Sequence, residues 1–255
     1  MLERLRRWLR PPAPASVDEA TWQGIEARLP FLAYLPAQDR PRLRAMALDF
    51  LTRKQFHGAH GFVLDDRILL EIALQACLPV LNIGLDAYRG WVGIVVYPGE
   101  IIVRRHEVDE AGVVHEFDDE ILGEAWEDGP VILSWHSEAV HEANVVIHEF
   151  AHKLDMANGS ADGLPPLPRH ISRAEWAHVF NAAYDSLCAQ VDAGETPAID
   201  PYASEHPAEF FAVAAESFFE TPDALHAEFP DVYRLMQRYF DQDPLHGWHT
   251  LNRMA

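Results

Sequence analysis

The stretch NVVIHEFAHKLD, residues 144–155, places two histidines four positions apart, with a glutamate directly after the first. On a helix that turns about 100 degrees per residue, His148 and His152 fall on one face and Glu149 stands beside them. The opposite face is apolar: Ala143, Ile147, Phe150 and Leu154. Imidazole nitrogen suits Zn²⁺ and this spacing lets two rings reach one ion, so the stretch predicts half of a zinc site. The alternative is an ordinary helix that exposes these polar residues to solvent.

This stretch does not supply a third ligand. A catalytic zinc ion needs three protein ligands and an open position. One known pattern continues as HExxHxxGxxH, but Asp155 and Asn158 occupy its glycine and its last histidine. Downstream, YASEHPAEFFAVAAESFFE, residues 202–220, predicts a helix whose first turn holds Pro207. Glu209 opens this helix among apolar residues, where a carboxylate is costly unless it is paired or binds a metal.

Other polar residues near these motifs either orient the ligands or lie on the protein surface. Asp155 shares the face of the two histidines, and we favour an orienting role for it. For His141 and Asn144 we favour the surface. Glu216 lies seven positions after Glu209 on the same helix face, and both interpretations stay open for it.

The composition describes a globular, acidic chain. It has 255 residues, enough for a sizeable core, and a formal net charge of -20 from 40 acidic and 20 basic residues. That charge argues against nucleic acid, whose phosphates reward clustered lysine and arginine. No stretch reaches the roughly 18 apolar residues of a membrane span. The two cysteines, Cys77 and Cys188, fit free thiols in a reducing compartment, so we expect a cytoplasmic protein that binds neither membrane nor nucleic acid.

The order of the predicted elements indicates an α+β fold. Residues 1–16 form a basic, proline-rich extension, and a single domain follows over 17–255. Its predicted parts are helices over 17–90, a sheet over 91–136 and active-site helices over 138–240. The local patterns predict a buried helix that ends near Pro79, a hairpin over 90–108, short strands in GVVHEF and GPVILSW, and helices over 138–157, 172–191, 206–220 and 222–240.

The two motifs together resemble a known family. HEFAHKLD followed by YASEHPAEFFAVAAESFFE looks like the Mlc titration factor A family of bacterial zinc peptidases, and the same pair occurs in the metalloprotease domain of anthrax lethal factor. The likeness to the titration factor extends over most of the chain, including GFVLDD, ACLPVLNIGLDAY, VVYPGE, WEDGPVILSW and FPDVYRLMQRYFDQDPL. It implies a zincin-like metallopeptidase fold with a helical N-terminal part, a small mixed sheet and a C-terminal helical part that carries the third zinc ligand.

The resemblance also implies the roles of individual residues. It makes His148, His152 and Glu209 the ligands of one zinc ion per chain. It makes Glu149 the general base and places Tyr202 near the metal, as a donor of a proton or hydrogen bond to the developing oxyanion. The family has a further histidine, after a short apolar pair, that can approach the metal and block it. GVVHEF places that histidine at His115.

These roles predict a zinc-dependent metallopeptidase with aminopeptidase-like action on peptides. The strand GPVILSW is either an edge strand to which an extended peptide adds, or a plain strand of the sheet. The resemblance implies a second role, because members of the family sequester the glucose-responsive repressor Mlc and so regulate sugar-transport genes. A non-catalytic repressor-binding protein on the same fold is therefore the alternative, and a different zinc hydrolase is a third interpretation.

Overall fold

The fold consists of N-terminal helices, a sheet region and C-terminal helices. The computed structural model describes residues 17–99, 101–108, 114–135 and 144–254, and for 102–108, 114–121 and 251–254 it describes the backbone alone. The α-helices are α1 (Glu19–Glu26), α2 (Asp39–Arg53), α3 (Asp66–Cys77), α4 (Val145–Asp155), α5 (Arg173–Asp192), α6 (Pro207–Glu220), α7 (Pro222–Glu228), α8 (Pro230–Phe240) and α9 (Pro244–Met254). The strands are β1 (Gln55–Gly58), β2 (Gly93–Pro98), β3 (Ile101–Val108), β4 (Val114–Ile121), β5 (Gly123–Ala125) and β6 (Val131–Trp135). The predicted extension over 1–16 lies outside the described residues.

The main sheet has four strands in the order β1–β2–β6–β5. β1, β2 and β6 run parallel to one another, and β5 runs antiparallel to β6. Ile94 pairs with Val131 and Val96 with Leu133, and all four side chains are buried. Because alternate residues of a strand point to one face, these four residues turn that face toward the apolar core. The prediction of an α+β fold with a small mixed sheet is confirmed.

The predicted hairpin over 90–108 is wrong. β2 pairs in parallel with β1 and β6, whereas β3 pairs antiparallel with β4 in a separate two-stranded sheet. β-branched residues around a Pro-Gly turn indicate two strands, but they do not encode the partner of each strand. The two strands that pair with β2 each lie more than thirty positions away in sequence, β1 before it and β6 after it. Only the tertiary fold brings these strands together.

Several predicted boundaries also differ from the structure. β1, a strand, lies inside the segment 17–90 that was predicted to be helical. α4 begins at Val145 after its N-cap Asn144, and the earlier part of the predicted helix, 138–143, lies outside the described residues. The predicted helix over 222–240 is two helices, because Phe229 adopts φ -125° and ψ 65° before Pro230. Proline disfavours helical backbone in the residue before it and lacks the amide proton that would continue the helix.

The core encloses α4, the helix that carries HEFAHKLD. This helix contacts β5 and β6 on one side and α3 and α6 on others. Its Phe150 lies in an aromatic cluster, with ring centroids 5.6 Å from Phe50, 5.2 Å from Tyr88 and 5.7 Å from Trp91. Glu149, His152 and Lys153 are buried along with the apolar residues, so α4 does not present a solvated polar face. In the part of the chain that the structure describes, no helix combines the length and apolar character needed to cross a membrane.

Candidate metal centre

Three side chains converge on one point between α4 and α6. The Nε2 atoms of His148 and His152 lie 3.0 Å and 3.2 Å from the same oxygen of Glu209, Oε2, and 3.1 Å from each other. Ligands about 2.0–2.1 Å from a tetrahedral zinc ion are spaced about 3.3 Å apart, close to these separations. Two imidazole nitrogens and a carboxylate oxygen are also the donor types of catalytic zinc sites, so the residues present fit a metal ion.

The loop after α4 ties the two ligand-bearing helices together. Asp155, at the last position of α4, accepts a hydrogen bond at Oδ2 from the N–H of Gly163, 2.7 Å away. Gly163 has φ +79°, and a Cβ added there would lie 2.6 Å from the carbonyl oxygen of Pro207, in the first turn of α6. Only glycine allows this backbone conformation and this approach together. The loop therefore fixes the start of α6, two residues before Glu209, against the end of α4.

The electrostatics of the cluster favour a positive charge at its centre. Burial opposes the charged form of His148, but the hydrogen bonds to Glu209 and Glu216 outweigh burial and raise its pKa to about 10. Burial likewise opposes ionised Glu209, but the contacts with His148 and His152 hold its pKa far below the usual range. In the metal-free protein a proton on His148 supplies the positive charge, and a cation would take its place.

A second carboxylate fixes the orientation of His148. The ring Nδ1 of His148 lies 2.6 Å from Oε1 of Glu216, near the far end of α6. The other oxygen of Glu216 accepts a hydrogen bond from the backbone N–H of Asn144, at 2.8 Å. With Nδ1 bonded to a carboxylate, Nε2 is the nitrogen that faces Glu209 and His152. Glu216, for which two interpretations were open, thus contacts a candidate ligand.

Asn144 is buried, and its predicted surface position is wrong. Its Oδ1 accepts from the N–H of Ile147 and caps α4, and its Nδ2 donates to Gln75 and Glu220 at 2.9 Å and 2.7 Å. A polar side chain can be buried where each of its groups finds a partner, and Asn144 meets that condition. His141, the other residue for which the surface was favoured, lies outside the described residues.

Asp155 is fully buried, but its hydrogen bond goes to the loop backbone rather than to a histidine. Burial raises its pKa to about 6. Its Oδ1 and the Nδ1 of His152 are both buried and have no hydrogen-bond partner among the described residues. The orienting role that we expected for Asp155 toward the ligand imidazoles stays a prediction.

Glu149 lies beside the cluster, 4% exposed, with Oε2 buried and without a hydrogen-bond partner among the residues that the structure describes. Burial raises its pKa to about 8, although the charge of His148 acts in the opposite direction. The strand β5 packs closely against this carboxylate, because a Cβ added at Gly123 would lie 2.5 Å from Oε1 of Glu149. A proton-accepting side chain is therefore held in a dry position one residue after a candidate ligand.

Tyr202 approaches the cluster from the turn Pro201–Ser204. Its ring centroid is 6.2 Å from that of His148, and 46% of the residue is exposed. The ring therefore lies beside a candidate ligand, and the predicted role of Tyr202 at the metal stays a prediction. His115 belongs to β4, where it pairs with Glu107 of β3, and its side chain lies outside the described residues. Its predicted approach to the metal stays a prediction.

The strand at the sheet edge beside α4 is β5, so the edge position considered for GPVILSW is wrong: that segment forms β6, which has partners on both sides. In the β5–β6 pair, Ser134 donates to the carbonyl of Leu122, and Trp126 donates to that of Pro130. In an antiparallel pair the residues between two such bonded positions alternate in direction. The N–H and C=O groups of Gly123 and Ala125 therefore point away from β6.

Comparison with known proteins is consistent with this geometry. Residues 3–241 match the family described as glucose-regulated metallo-peptidase M90. The chain belongs to the M90 family. It is 39% identical over 232 residues to Mlc titration factor A of Pectobacterium atrosepticum, covering 88% of this chain and 86% of that protein. It is 38% identical over 240 residues to Mlc titration factor A of Serratia proteamaculans, covering 91% and 90%.

An uncharacterised protein of Synechocystis is similar to the same extent, at 38% identity over 232 residues, 88% of this chain and 84% of that one. The family resemblance predicted from the two motifs is confirmed. Membership of a metallopeptidase family implies a metal ion, and His148, His152 and Glu209 form the candidate site for it in this M90 member.

Three residues around this M90 site escaped prediction. Glu220 lies four positions after Glu216, so helical spacing could have placed it on the same face. Lys153 received no role from the sequence, yet it is buried, with 2% of the residue exposed. Gly123 carries no local signal, because its role depends on a contact with a helix more than twenty positions away.

Proposed function

We propose that this M90 member is a zinc-dependent peptidase of the HExxH-plus-glutamate type, with one zinc ion per chain held by His148, His152 and Glu209. The observation that carries the proposal is the convergence of three donor atoms, two imidazole nitrogens and one carboxylate oxygen, on one point, with the buried carboxylate of Glu149 beside them. The alternative is a purely structural cluster of ion pairs, which also perturbs pKa values. Such a cluster does not need two imidazoles and a carboxylate at metal-ligand spacing beside a buried carboxylate.

The residues then have distinct tasks. The chemistry that Zn²⁺ supplies in such sites is a water of lowered pKa and a polarised carbonyl. Glu149 accepts a proton at its carboxylate and later delivers it to the amine leaving group, and it is buried one position after the candidate ligand His148. Tyr202 donates a hydrogen bond to the developing oxyanion. Glu216 keeps the His148 ring from turning.

The proposed substrates are peptides that bind in extended form along β5. The outward N–H and C=O groups of Gly123 and Ala125 offer main-chain hydrogen bonds to such a peptide. Leu122 and Trp126, which flank β5, are 39% and 52% exposed and offer apolar contacts. Aminopeptidase-like hydrolysis of short peptides is the finer form of the proposal, supported by the resemblance to the titration factor family. Free thiols at Cys77 and Cys188 support a reducing compartment such as the cytoplasm.

Zinc content measured together with aminopeptidase and endopeptidase activity tests the proposal. Wild type should carry close to one zinc per chain and hydrolyse peptides. Glu149→Gln should keep the zinc and lose hydrolysis, and Glu209→Ala should lose both. Glu195→Ala, at an exposed glutamate after α5, is the matched control and should behave as wild type. Full activity in Glu149→Gln would remove the general-base assignment, and unchanged zinc in Glu209→Ala would remove the third ligand.

Binding of a repressor is a second candidate function, favoured by the name of the relatives, Mlc titration factor A. We propose that an Mlc-like repressor is a partner of this chain as well. A pull-down of such a repressor by the Glu149→Gln variant separates the two functions. Undiminished capture by a variant that no longer hydrolyses peptides would show that binding does not need catalysis, and no capture by either form would exclude the partner.

A further inference from the structure

The lysine that follows the second histidine is buried. Lys153 is 2% exposed, and its Nζ donates to the backbone carbonyls of Trp126, Glu127 and Gly129, the last two at 3.3 Å and 3.2 Å. An ammonium group has three protons to donate. All three are thus used within one short segment, residues 126–130, which joins β5 to β6 and is called the β5–β6 loop below.

This contact and that of Glu149 lie on the same side of α4. Lys153 follows Glu149 by four positions, one helical turn, so both side chains reach toward the β5–β6 hairpin. Glu149 contacts Gly123, the first residue of β5. Lys153 contacts the β5–β6 loop at Trp126, directly after the last residue of β5, Ala125. The short strand is therefore fixed to the helix at both ends.

A neutral side chain would fill the same space at a lower desolvation cost, since a buried charge needs full compensation by hydrogen bonds. The ammonium group also fixes the geometry of this contact, because its three hydrogen bonds define where the loop carbonyls lie relative to α4. We infer that Lys153 is a positioning residue that sets the register of β5 against α4, and with it the distance between a peptide on β5 and the Glu149 carboxylate. This inference rests on the proposed peptidase function.

The chain offers a matched control at the same indole. The Nζ atoms of Lys153 and Lys54 lie 4.7 Å and 3.4 Å from the ring centroid of Trp91. Lys54 is also buried, 5% exposed, but its hydrogen bonds go to the carbonyls of Tyr88 and Trp91, at 2.7 Å each. Removing the Lys54 ammonium therefore removes a comparable buried charge without touching the β5–β6 loop.

The experiment compares Lys153→Met with Lys54→Met in the zinc-loaded full chain. Both variants should lower the melting temperature, and both should keep wild-type zinc. Only Lys153→Met should speed hydrogen exchange of the Gly129 amide, which donates to Trp126, by at least about tenfold. Only Lys153→Met should lower kcat on a peptide substrate, by about ten- to a hundredfold with KM within about twofold, because misplaced reactants lose rate more than binding.

An equal fall in kcat for both variants, or loss of zinc from Lys153→Met, would overturn the inference in favour of general destabilisation. If Lys153→Met does not fold, Lys153→Gln keeps one amide donor and should show the same changes at smaller size. If zinc-loaded wild type hydrolyses no peptide, the peptidase proposal fails. The hydrogen-exchange comparison then decides alone, and unchanged exchange in the Lys153 variant would overturn the role of this residue.

Discussion

Glu216 contacts His148 from the far end of α6 and leaves Nε2 as the nitrogen that faces Glu209. Replacing it by glutamine should weaken zinc binding about ten- to a hundredfold, because the partners that orient metal-binding histidines contribute that much to affinity. A competition titration with a chromogenic chelator measures the effect. Glu195→Gln, which changes an exposed carboxylate in the same way, should leave the affinity as in wild type. Unchanged affinity in Glu216→Gln would mean that the ring is held by other contacts.

Protons and metal compete for His148, which gives a pH dependence with a definite sign. In the metal-free protein the pKa of His148 is about 10, above the ordinary value of 6.5, so at neutral pH the ring carries a proton that the metal must displace. Affinity should therefore rise with pH from neutrality toward about 10, by about tenfold per pH unit for this one proton. Calorimetry in two buffers of different ionisation enthalpy should show proton release on zinc binding at pH 7, and no release would contradict the assignment.

The residues around the site differ in whether the neighbouring sequence is enough to predict their role. His148, Glu149 and His152 follow from spacing on one helix, and Glu209 from a carboxylate placed among apolar residues. Asn144 also had a local signal, since asparagine directly before an apolar helical run is a common N-cap. Its burial depends instead on Gln75 and Glu220, which only the tertiary fold brings to it.

At the scale of elements, the contact between β5 and α4 has a direct test. In Gly123→Ala the new Cβ would lie 2.5 Å from Oε1 of Glu149 and 2.7 Å from Cγ2 of Val145, so the carboxylate must move. We expect kcat to fall about a hundredfold, as a displacement near 1 Å can cause, while zinc content stays unchanged. Steady-state kinetics with zinc analysis measures both. Gly24→Ala has nothing within 4 Å of its new Cβ and should keep wild-type kcat.

Elements with a long apolar period could be predicted, and short or non-local ones could not. The buried helix ending near Pro79 is α3, and the helix opening at Pro207 is α6, as their patterns indicated. β5 has three residues and begins with glycine, so no alternation marks it as a strand. The break at Phe229 had a signal in Pro230, but the continuous apolar pattern on both sides concealed it.

At the scale of the whole molecule, the metal would join α4 to α6, which are about fifty positions apart in sequence. Zinc at about a thousandfold its Kd should add about 4 kcal/mol to the free energy of unfolding. For a chain of this size that corresponds to a rise of about 10 °C in Tm. Scanning calorimetry with zinc and with EDTA measures the difference. Glu209→Ala should melt at the same temperature under both conditions, and a zinc-dependent shift in that variant would place the ion elsewhere.

The fold class could be predicted from the order of elements and from the family resemblance, but not the connections that unite the molecule. A buried chain of hydrogen bonds runs from Gln75 on α3 through Asn144 and Glu216 to His148. Its members come from three separate parts of the chain, and the local sequence of one part does not indicate its partners in the others. Hydrophobic patterning says nothing about such partners, because it records burial and not direction.

Among the described residues β5 lies at the edge of the main sheet, and this position bears on aggregation at high protein concentration. Unpaired strand edges invite copies of a chain to join sheet to sheet and aggregate. Here the edge is only three residues long, Gly123–Ala125, and carries the charged Glu124 at its middle. A strand so short offers too few hydrogen bonds to hold a second folded copy. The shortness of β5 thus limits aggregation through this edge, whereas a flexible peptide, the proposed substrate, needs only a few main-chain hydrogen bonds there.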